Sequence, residues 1–545
     1  MESTPADVMR SRMRIKPCSS KPAGVTGVSG KALRPVNIMC SCRVIGMSTG
    51  EHSSRKKHCH MTMLSQKSIM PRGIIIISGL CFQQLASVRG RRPALVNPQI
   101  RRPVEAGTEK MTASEIFESV RQKVRTGQLH PGDALPPVRE MAAQLSVHRN
   151  TVASAYKKLA AAGIAVTNGR YGTTISQAED VPEQEGPARQ THLIDVSGGN
   201  PEPSALPDVA SLLQAVSLTP RSYGGSVINP GLEKAGREWF CPDAPGMFGL
   251  GLTHGAVDAI ERLITGYLTA GEKIAVEEPC FLSSINAIRS LGYVPAGVPV
   301  DRDGLLPGPL QETLEAGAQV VIVTPRAHNP TGCSLNPQRA SEIRAVLARF
   351  PHVMVIVDDH FSLLSGSEYQ NVIAAETRNW AIVRSVSKFF GPDLRLALVA
   401  CNPDTSERLS RRMASGTHWV SHILQDMTEE ALASADVVRK VSEAATLYRD
   451  RRNALLAALR TRNVMALQEY DGLNVWLPLC HEPSGLIRLM EARGWLIRAG
   501  AGFYLTDPGH AIRLTPGVLS DEQCDALAQD LTDALRESGN SIGPI

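Results

Sequence analysis

The chain has 545 residues, of which 43% are hydrophobic and 20% charged, with a formal net charge of +5. This length predicts three or four units of about 150 residues each, and the composition is typical of soluble globular proteins. Because no stretch reaches the roughly 18 apolar residues of a membrane span, the sequence argues against a membrane protein.

Charge is unevenly distributed along the chain. Residues 1–110 carry 19 Lys and Arg against 5 Asp and Glu, residues 111–176 carry 8 against 4, and the remainder is acidic. Since DNA binding requires clustered positive charge, the basic segment 111–176 is a candidate contact in an otherwise acidic body. Five of the eleven cysteines lie in the first 110 residues and the others are scattered singly, so we expect a reducing cytoplasm.

Residues 1–110 lack a sustained helical or strand period, apart from the run Ile74–Ile77. We interpret this segment as disordered, or as a mis-assigned upstream start with Met111 as the initiator. A targeting arm is the alternative, because the segment is rich in arginine and poor in acidic residues. The pairs Cys40-x-Cys42 and His58-Cys-His60 match no common zinc spacing, so no metal site is predicted.

The pattern over 111–177 predicts a winged helix-turn-helix. An amphipathic helix is expected over Ser114–Thr126, a second begins at Pro136, and a third follows Ser146 and reaches about Ala162. Two short strands then surround Asn168-Gly169, a hairpin turn signal. The third helix of such a domain enters the major groove of DNA.

The predicted DNA-binding residues are Arg139, His148, Arg149, Asn150, Thr151, Lys157, Lys158 and Arg170. Residues at the start of the third helix can reach base edges, whereas Arg139 and the two lysines suit phosphates and Arg170 the wing tip. The segment from Leu135 to Gly163 resembles the GntR-type winged helix, in which the residues matching Arg139, Arg149 and Thr151 contact operator DNA. A three-helix docking module with solvated arginines is the alternative.

Residues 178–193 are acidic and contain proline, which predicts a linker. From 194 to 545 the pattern predicts an α/β fold. Strands are expected over Val320–Thr324, Met354–Asp358, Ala381–Ser385 and Leu396–Ala400. Their alternation with helices predicts a mainly parallel sheet covered by helices. A helix over Val437–Arg460 leads into a smaller subdomain at about 461–545.

Several residues in this segment suit a phosphorylated aromatic aldehyde. The Lys388 amine can form a Schiff base, Asp358 can pair with a ring nitrogen, and Asn329 can donate to a ring hydroxyl, while Phe281 can stack on the ring. The groups expected to hold the phosphate are Ala256 and Val257 at a helix start, with Ser385, Ser387 and Arg395. Taken singly, each has a plainer interpretation as a solvated lysine, a strand-end cap, a turn or a core residue.

The order and separation of these residues over about Ile194 to Leu535 resemble the fold-type I aminotransferases, which implies pyridoxal 5'-phosphate (PLP) as cofactor. In that family the tyrosine matching Tyr223 reaches the phosphate of the partner subunit, and the arginine matching Arg513 binds a substrate α-carboxylate. His360 stands where a tyrosine is usual and Ala256 where a serine is usual. Both departures weaken the expectation of efficient catalysis more than that of cofactor binding.

A GntR-type reader followed by an aminotransferase-like domain resembles the MocR subfamily of bacterial regulators, and most closely its PtsJ/YdcR-like branch, which is linked to vitamin B6 metabolism. The resemblance implies a head-to-tail homodimer in the bacterial cytoplasm, at the nucleoid when bound to double-stranded operator DNA. Its effector would be PLP or the adduct of PLP with an amino compound. The alternatives are a working aminotransferase with an accessory reader, and a reader joined to an inactive structural domain.

Overall fold

A computed structural model of the chain describes residues 111–162, 164–167, 172–175, 186, 191–464, 471–505 and 509–543. The predictions for residues 1–110 and for the turn Asn168-Gly169 lie outside the described residues. Within the described part, no helix combines the length and the hydropathy needed to cross a membrane. The same residues contain no cluster of three or more His, Cys, Asp or Glu side chains that could hold a metal ion.

The first described domain contains three helices and a three-stranded antiparallel sheet. The helices are α1 (Ala113–Arg125), α2 (Val138–Gln144) and α3 (Arg149–Ala161), and the strands are β1 (Ala134–Leu135), β2 (Ala165–Thr167) and β3 (Thr173–Ile175), in the order β1-β3-β2. α1 begins at a capping box in which Thr112 and Glu115 exchange hydrogen bonds. Ile116 and Val120 of α1 share a core with Val152 of α3. The predicted winged helix is confirmed.

An eight-stranded sheet forms the centre of the larger domain. Its strands are β5 (Gly249–Thr253), β6 (Lys273–Glu278), β7 (Val294–Asp301), β8 (Gly304–Leu305), β9 (Ala318–Val323), β10 (Met354–Asp358), β11 (Trp380–Ser385) and β12 (Ala397–Cys401). Their order is β5-β12-β11-β10-β9-β6-β7-β8. β7, β6, β9, β10 and β11 pair in parallel, whereas β12 is antiparallel to its neighbours β5 and β11, and β8 to β7.

Helices cover both faces of this sheet. They are α4 (Val209–Ala215), α5 (Pro230–Phe240), α6 (Ala256–Tyr267), α7 (Leu282–Ser290), α8 (Pro307–Glu315), α9 (Pro337–Ala348), α10 (Pro403–Ala414) and α11 (His422–Ala433). Val355 of β10 belongs to a core with α5, α8 and α9, and its neighbours Met354 and Ile356 to a core with α6, α7 and α10. Because both faces are buried, β10, β11 and β12 appear in the sequence as continuous apolar runs.

A smaller sheet lies in the C-terminal part, where β13 (Val475–Pro478), β16 (Ala511–Leu514) and β15 (Arg498–Ala499) are antiparallel neighbours. The accompanying helices are α12 (Ala435–Thr461), α13 (Ser484–Ala492) and α14 (Asp521–Ser538). α14 begins with a capping box formed by Ser520 and Gln523. The short strand β4 (Ile194–Asp195) pairs in parallel with β14 (Trp495–Leu496).

The predicted elements of the large domain agree with the structure to within about two residues. The mainly parallel sheet is confirmed, although β12, predicted as the strand Leu396–Ala400, runs antiparallel inside it. Strand direction depends on how the connecting loops cross the sheet, which the apolar pattern of a strand does not encode. The boundaries of the linker and of the small subdomain stay predictions.

Candidate functional site

One cavity collects the ten residues that the sequence assigned to the cofactor ring, its aldehyde and its phosphate. Its lining consists of Ala256, Val257, Phe281, Asn329, Asp358, His360, Ser385, Ser387, Lys388 and Arg395. Asp358 and Ser385 are the last residues of β10 and β11. Ligands of open α/β sheets bind at this carboxyl edge of the strands, so the fold places the cavity where a ligand site is expected.

The turn between β5 and α6 leads into one wall of the cavity, which is formed by Ala256, Val257 and Arg395. Gly255 precedes α6 with φ +98°, a conformation that side chains other than glycine rarely adopt. A Cβ atom at this position would lie 3.0 Å from Arg395 Nη2, so the guanidinium rests directly against the start of the helix. Backbone N–H groups at a helix N-terminus and a guanidinium both favour an anion, which makes this wall suitable for a phosphate.

Lys388 lies three residues after Ser385, the last residue of β11, and directly after Ser387. The Ser385 and Ser387 hydroxyls lie 3.2 Å apart, and the Ser387 N–H donates to Ser385 Oγ at 3.3 Å. Lys388 Nζ donates to the backbone oxygen of Gly199 at 2.9 Å. A primary amine held at the cavity is the nucleophile that an aldehyde requires.

Two aromatic rings in the cavity lining are nearly parallel. The planes of Phe281 and His360 differ by 15°, and their centroids are 6.5 Å apart. Since two carbon layers in contact are separated by about 3.5 Å, the gap is close to twice one stacking distance. This separation matches one planar ring placed between two others.

Asp358 supplies an acid beside these rings. Its Oδ1 lies 3.6 Å from His360 Nδ1, and both atoms are buried without a hydrogen bond to any described residue. Leaving a buried polar group unsatisfied costs about 1–3 kcal/mol. A ligand that donates a hydrogen bond to Asp358 would remove this penalty, and a protonated ring nitrogen is such a donor.

Asn329 is oriented by a network behind the cavity. Its Oδ1 accepts hydrogen bonds from Arg513 Nη1 at 3.0 Å and from Asn474 Nδ2 at 3.2 Å. Because the oxygen is used in this way, any hydrogen bond that the Asn329 side chain donates comes from its Nδ2 group. Arg513 is fully buried and also donates from Nη2 to Ser197 O at 2.7 Å. It therefore touches the site through Asn329 and is not part of the cavity lining.

A buried acid and a buried histidine lie next to this network. Glu277 Oε2 is 3.4 Å from His328 Nε2, and Glu277 accepts the Thr324 N–H at 3.0 Å. Burial raises the pKa of Glu277 to about 8 and lowers the pKa of His328 to about 3. Both groups are therefore neutral near pH 7, which keeps two further charges away from Asp358.

A buried ionic cluster, missed by the sequence reasoning, supports the strand end that carries Asp358. Asp359 accepts two hydrogen bonds from Arg326, at 2.7 and 2.8 Å, and one from Arg384 at 2.9 Å. Burial favours the neutral acid, but the two guanidiniums outweigh it and hold the pKa of Asp359 below its ordinary value. Arg384 also contacts Asp243 and lies 4.7 Å from the ring centroid of Phe240. Its position in an apolar strand was the one available sequence signal.

Tyr223 lies outside the cavity. Its side chain is 90% exposed and forms an edge contact with Trp419, with centroids 5.5 Å apart. The two residues line a separate open groove with Arg221, His422 and Asp426. Within one chain, Tyr223 therefore contacts no cofactor-site residue, and its predicted role depends on a second subunit.

Four of the eight predicted DNA-binding residues, His148 to Thr151, lie at the start of α3. His148 caps the helix by accepting the Asn150 N–H at 3.2 Å. Arg149 and Asn150 are exposed in the first turn, and Thr151 is partly exposed. Arg139 and Lys157 are also exposed, whereas Lys158 donates to Ser114 of α1 at 2.9 Å. Arg170 lies outside the described residues.

Two family profiles match the chain. The profile described as aminotransferase class I and II covers residues 222–531, and that described as bacterial regulatory proteins of the gntR family covers residues 112–175. Solved structures support the fold of the larger domain. The kynurenine aminotransferase of Pyrococcus horikoshii is 19% identical with a TM-score of 0.57, over 64% of this chain and 92% of that protein.

The fold and the site define a GntR-type regulator with a fold-type I aminotransferase domain. A curated relative, the vitamin B6 salvage pathway transcriptional repressor PtsJ of Salmonella typhimurium, is 44% identical over 78% of this chain and 98% of its own length. The pyridoxine biosynthesis regulator PdxR of Corynebacterium glutamicum is 27% identical over 71% of this chain and 87% of its own. The chain belongs to the MocR subfamily of GntR-type transcriptional regulators, in the branch that includes PtsJ.

Proposed function

We propose that this protein is a DNA-binding regulator that senses PLP through Lys388 and controls vitamin B6 metabolism. The observation that carries the proposal is the single cavity in which an amine, a buried acid whose Oδ1 makes no hydrogen bond to a described residue, two nearly parallel rings and a helix start converge. The 44% identity to a vitamin B6 repressor supports the assignment of the pathway.

The residues present fit PLP group by group. When bound, PLP supplies an aldehyde that reacts with amines and an electron-withdrawing aromatic ring. Lys388 provides the amine, Asp358 accepts a hydrogen bond from the ring nitrogen, and Asn329 donates to the ring hydroxyl. Phe281 and His360 bracket the ring. Arg395, with the Ser385 and Ser387 hydroxyls and the backbone N–H groups of Ala256 and Val257, binds the phosphate.

We further propose that the protein acts as a head-to-tail homodimer on double-stranded operator DNA, in the cytoplasm at the nucleoid. The exposed first turn of α3 supports the DNA contact, since this turn reads the major groove in winged helices. The exposure of Tyr223 supports the dimer, because its family role requires a partner subunit.

A second candidate is a working aminotransferase with an accessory reader. The buried Arg513 favours it. Its guanidinium donates a hydrogen bond to Asn329, which lines the cavity, and a guanidinium is suited to binding an amino acid carboxylate. Turnover distinguishes the candidates. Repeated amino transfer from several amino donors would support the enzyme, whereas a stoichiometric spectral change without turnover would support the sensor. An inactive structural domain would give no visible absorption band at all.

The experiment that tests the proposal titrates the purified full chain with PLP and follows two signals, visible absorption and retardation of a DNA duplex selected from a random pool. We expect the wild type to gain a visible band and to change its DNA affinity. Lys388→Ala should lose both responses, whereas Lys234→Ala, which removes an exposed lysine, should keep both. A Lys388→Ala variant whose DNA binding still responds to PLP would refute the sensor.

The reader is tested separately. Arg149→Ala should weaken binding to the selected duplex by about 1–3 kcal/mol and relax its preference for one base, because a bidentate base contact is lost. Lys157→Ala should weaken binding to all duplexes alike. It should also lower the slope of the logarithm of the binding constant against the logarithm of salt concentration by about 1. Equal effects of both variants on selected and unrelated DNA would remove Arg149 from the base-reading surface.

A further inference from the structure

The segment Val196–Asn200, named the strap from here on, connects the predicted linker to the candidate site. Two side chains assigned to the ligand hold its backbone. Lys388 Nζ donates to Gly199 O at 2.9 Å, and Arg513 Nη2 donates to Ser197 O at 2.7 Å. The strap thus occupies hydrogen-bonding capacity of both the amine expected to meet an aldehyde and the guanidinium expected to meet a carboxylate.

Hydrogen bonds that do not involve Lys388 or Arg513 also join the strap to the body of the domain, and Val196 is fully buried in a hydrophobic core. The Gly199 N–H donates to Thr515 Oγ1 at 3.1 Å, and the Thr515 N–H donates to Val196 O at 2.7 Å. Before the strap, β4 is only two residues long. The backbone bonds from Ile194 to Gly494 and from Val196 to Leu496 flank this strand. Loosening the strap would therefore affect the part of the chain next to β4, which joins the predicted linker to the large domain.

The strap also contacts the linker segment directly. Asn200 Nδ2 lies 3.5 Å from Gly186 O. Gly186 has φ +68°, and a Cβ atom there would lie 2.7 Å from Asn200 Oδ1. Asn200 follows Gly199, whose carbonyl accepts the hydrogen bond from Lys388. The residue that contacts the linker is therefore the direct neighbour of the residue that Lys388 holds.

We infer that the strap carries the ligand signal from the cavity to the linker, by losing its Lys388 and Arg513 anchors when ligand binds. This inference rests on the proposed function. When Lys388 Nζ forms a double bond to an aldehyde carbon, the aldehyde oxygen leaves as water and the nitrogen keeps at most one hydrogen. The amine then no longer holds Gly199 O as an ammonium does.

The second anchor responds to a different chemical group. A carboxylate forms a stronger hydrogen bond to a guanidinium than a neutral backbone carbonyl does, so a bound carboxylate competes with Ser197 O for Arg513. The ligand class that addresses both anchors is an aldehyde cofactor followed by an amino acid. If the amino acid nitrogen replaces Lys388 on the aldehyde carbon, the lysine leaves as a free amine and the carboxylate competes for Arg513. Such a ligand biases the strap only through its differential affinity for the held and released states.

Hydrogen exchange of the full-length protein tests this directly. We expect PLP to accelerate amide exchange in peptides covering 196–200. L-Alanine and ethylamine, added to the PLP-bound protein, can both displace Lys388 from the aldehyde carbon, so exchange in these peptides should be faster with L-alanine than with ethylamine. The two amines differ only in the carboxylate, so the comparison isolates the Arg513 anchor. Unchanged exchange in the strap, with a visible band and protection of peptides around Lys388, would overturn the inference and leave PLP sensing intact. Absence of the band and of the protection would refute both.

Substitutions in the strap contact test the link to DNA binding. Asn200→Ala removes the amide group that contacts Gly186. Gly186→Ala places a Cβ atom against the Asn200 side chain. Both variants should bind PLP as the wild type does. The ligand-dependent change in DNA affinity, about 5- to 150-fold for couplings of this kind, should fall below about twofold. Gly246→Ala is the matched control, since Gly246 has φ +94° and no atom within 4 Å of an added Cβ. A wild-type DNA response in Asn200→Ala and Gly186→Ala would overturn the role of the strap.

Discussion

His360, the neighbour of Asp358 in the cavity, occupies the position at which a tyrosine was expected. The imidazole lies parallel to Phe281 at 6.5 Å, and its Nδ1 is 3.6 Å from Asp358 Oδ1. The sequence suggested that an imidazole replaces a phenol at the ring hydroxyl. The nearly parallel planes of His360 and Phe281 also suit a second ring wall, with the two rings on either side of a ligand ring.

Substituting His360 separates these two roles. His360→Ala should weaken PLP binding by about 2- to 10-fold, since a lost aromatic contact is worth roughly 0.5–1.5 kcal/mol. His360→Phe should restore the affinity, because it keeps the ring but not the nitrogen. Titration of the visible band measures both variants. If His360→Phe binds as weakly as His360→Ala, the contact of Nδ1 with Asp358 matters more than stacking.

The buried Glu277 and His328 predict a specific dependence of stability on pH. The raised pKa of Glu277 means that its stabilising contribution is complete below its unfolded pKa and is lost as pH rises toward about 8. The lowered pKa of His328 acts in the opposite sense, and its contribution is lost only below its ordinary value of 6.5.

Between pH 6.5 and 8 the Glu277 contribution alone changes, so the protein should lose about 2 kcal/mol of stability from this residue. Glu277→Gln keeps an oxygen for the Thr324 N–H and cannot ionise. The apparent melting temperature of the variant should therefore fall less steeply with pH over this interval. Parallel melting curves for the variant and the wild type would show that Glu277 is already ionised in the folded protein.

Among the elements, β10 and β11, together with the residues that directly follow them, supply five of the ten lining residues: Asp358, His360, Ser385, Ser387 and Lys388. They carry Asp358, Asp359, Arg384 and Ser385 at or near their carboxyl ends. Within each pair of neighbours one residue faces the ligand and the other faces the ionic cluster, because successive side chains of a strand point to opposite faces. The cluster of Asp359, Arg326 and Arg384 therefore supports from behind the strand ends that form the floor of the cavity.

Breaking this cluster should destabilise the large domain strongly. Arg384→Met leaves Asp359 and Asp243 short of a buried guanidinium partner, a change that costs about 3–5 kcal/mol. Arg439→Met is the matched control, because Arg439 also pairs with two acids but is exposed on α12. Thermal unfolding should show a large fall in melting temperature for the first variant and almost none for the second. Similar curves for both would mean that methionine packs well enough to replace the cluster.

For the whole molecule, assembly of two subunits is the next level of organisation to test. In one chain Tyr223 is exposed beside Trp419, and Lys388 lies in the cavity. If Tyr223 completes the phosphate site of its partner, each cofactor site combines residues of two subunits. DNA recognition would likewise use both readers, since winged-helix dimers bind paired half-sites.

Mixed dimers test shared sites. Homodimers of Lys388→Ala should show no visible band with PLP, and homodimers of Tyr223→Phe should bind PLP weakly. A dimer with one subunit of each kind, isolated through two different tags, contains one site with both residues intact. It should therefore bind one PLP per dimer with wild-type affinity. If its affinity matches that of the Tyr223→Phe homodimer, Tyr223 acts within its own subunit or not at the phosphate.

The sequence by itself determined the two domains, the order of their main elements and ten lining residues of the cavity. Local patterns sufficed because buried parallel strands appear as apolar runs, as over Met354–Asp358, and because helix caps such as Ser520 have short-range signatures. The residues that react with or hold a small ligand also fall at strand ends and turns, where glycine, proline and hydroxyl side chains mark their positions.

Only the tertiary structure decided the contacts between residues far apart in the chain. The antiparallel pairing of β12 with β5, the cluster around Asp359 and the orientation of Asn329 by Arg513 each depend on contacts between residues more than 20 positions apart. The hold of Lys388 on Gly199 spans 189 residues and involves a backbone oxygen, a group that every residue carries and no sequence pattern marks. Long-range hydrogen bonds to the backbone therefore emerged only once the chain was folded.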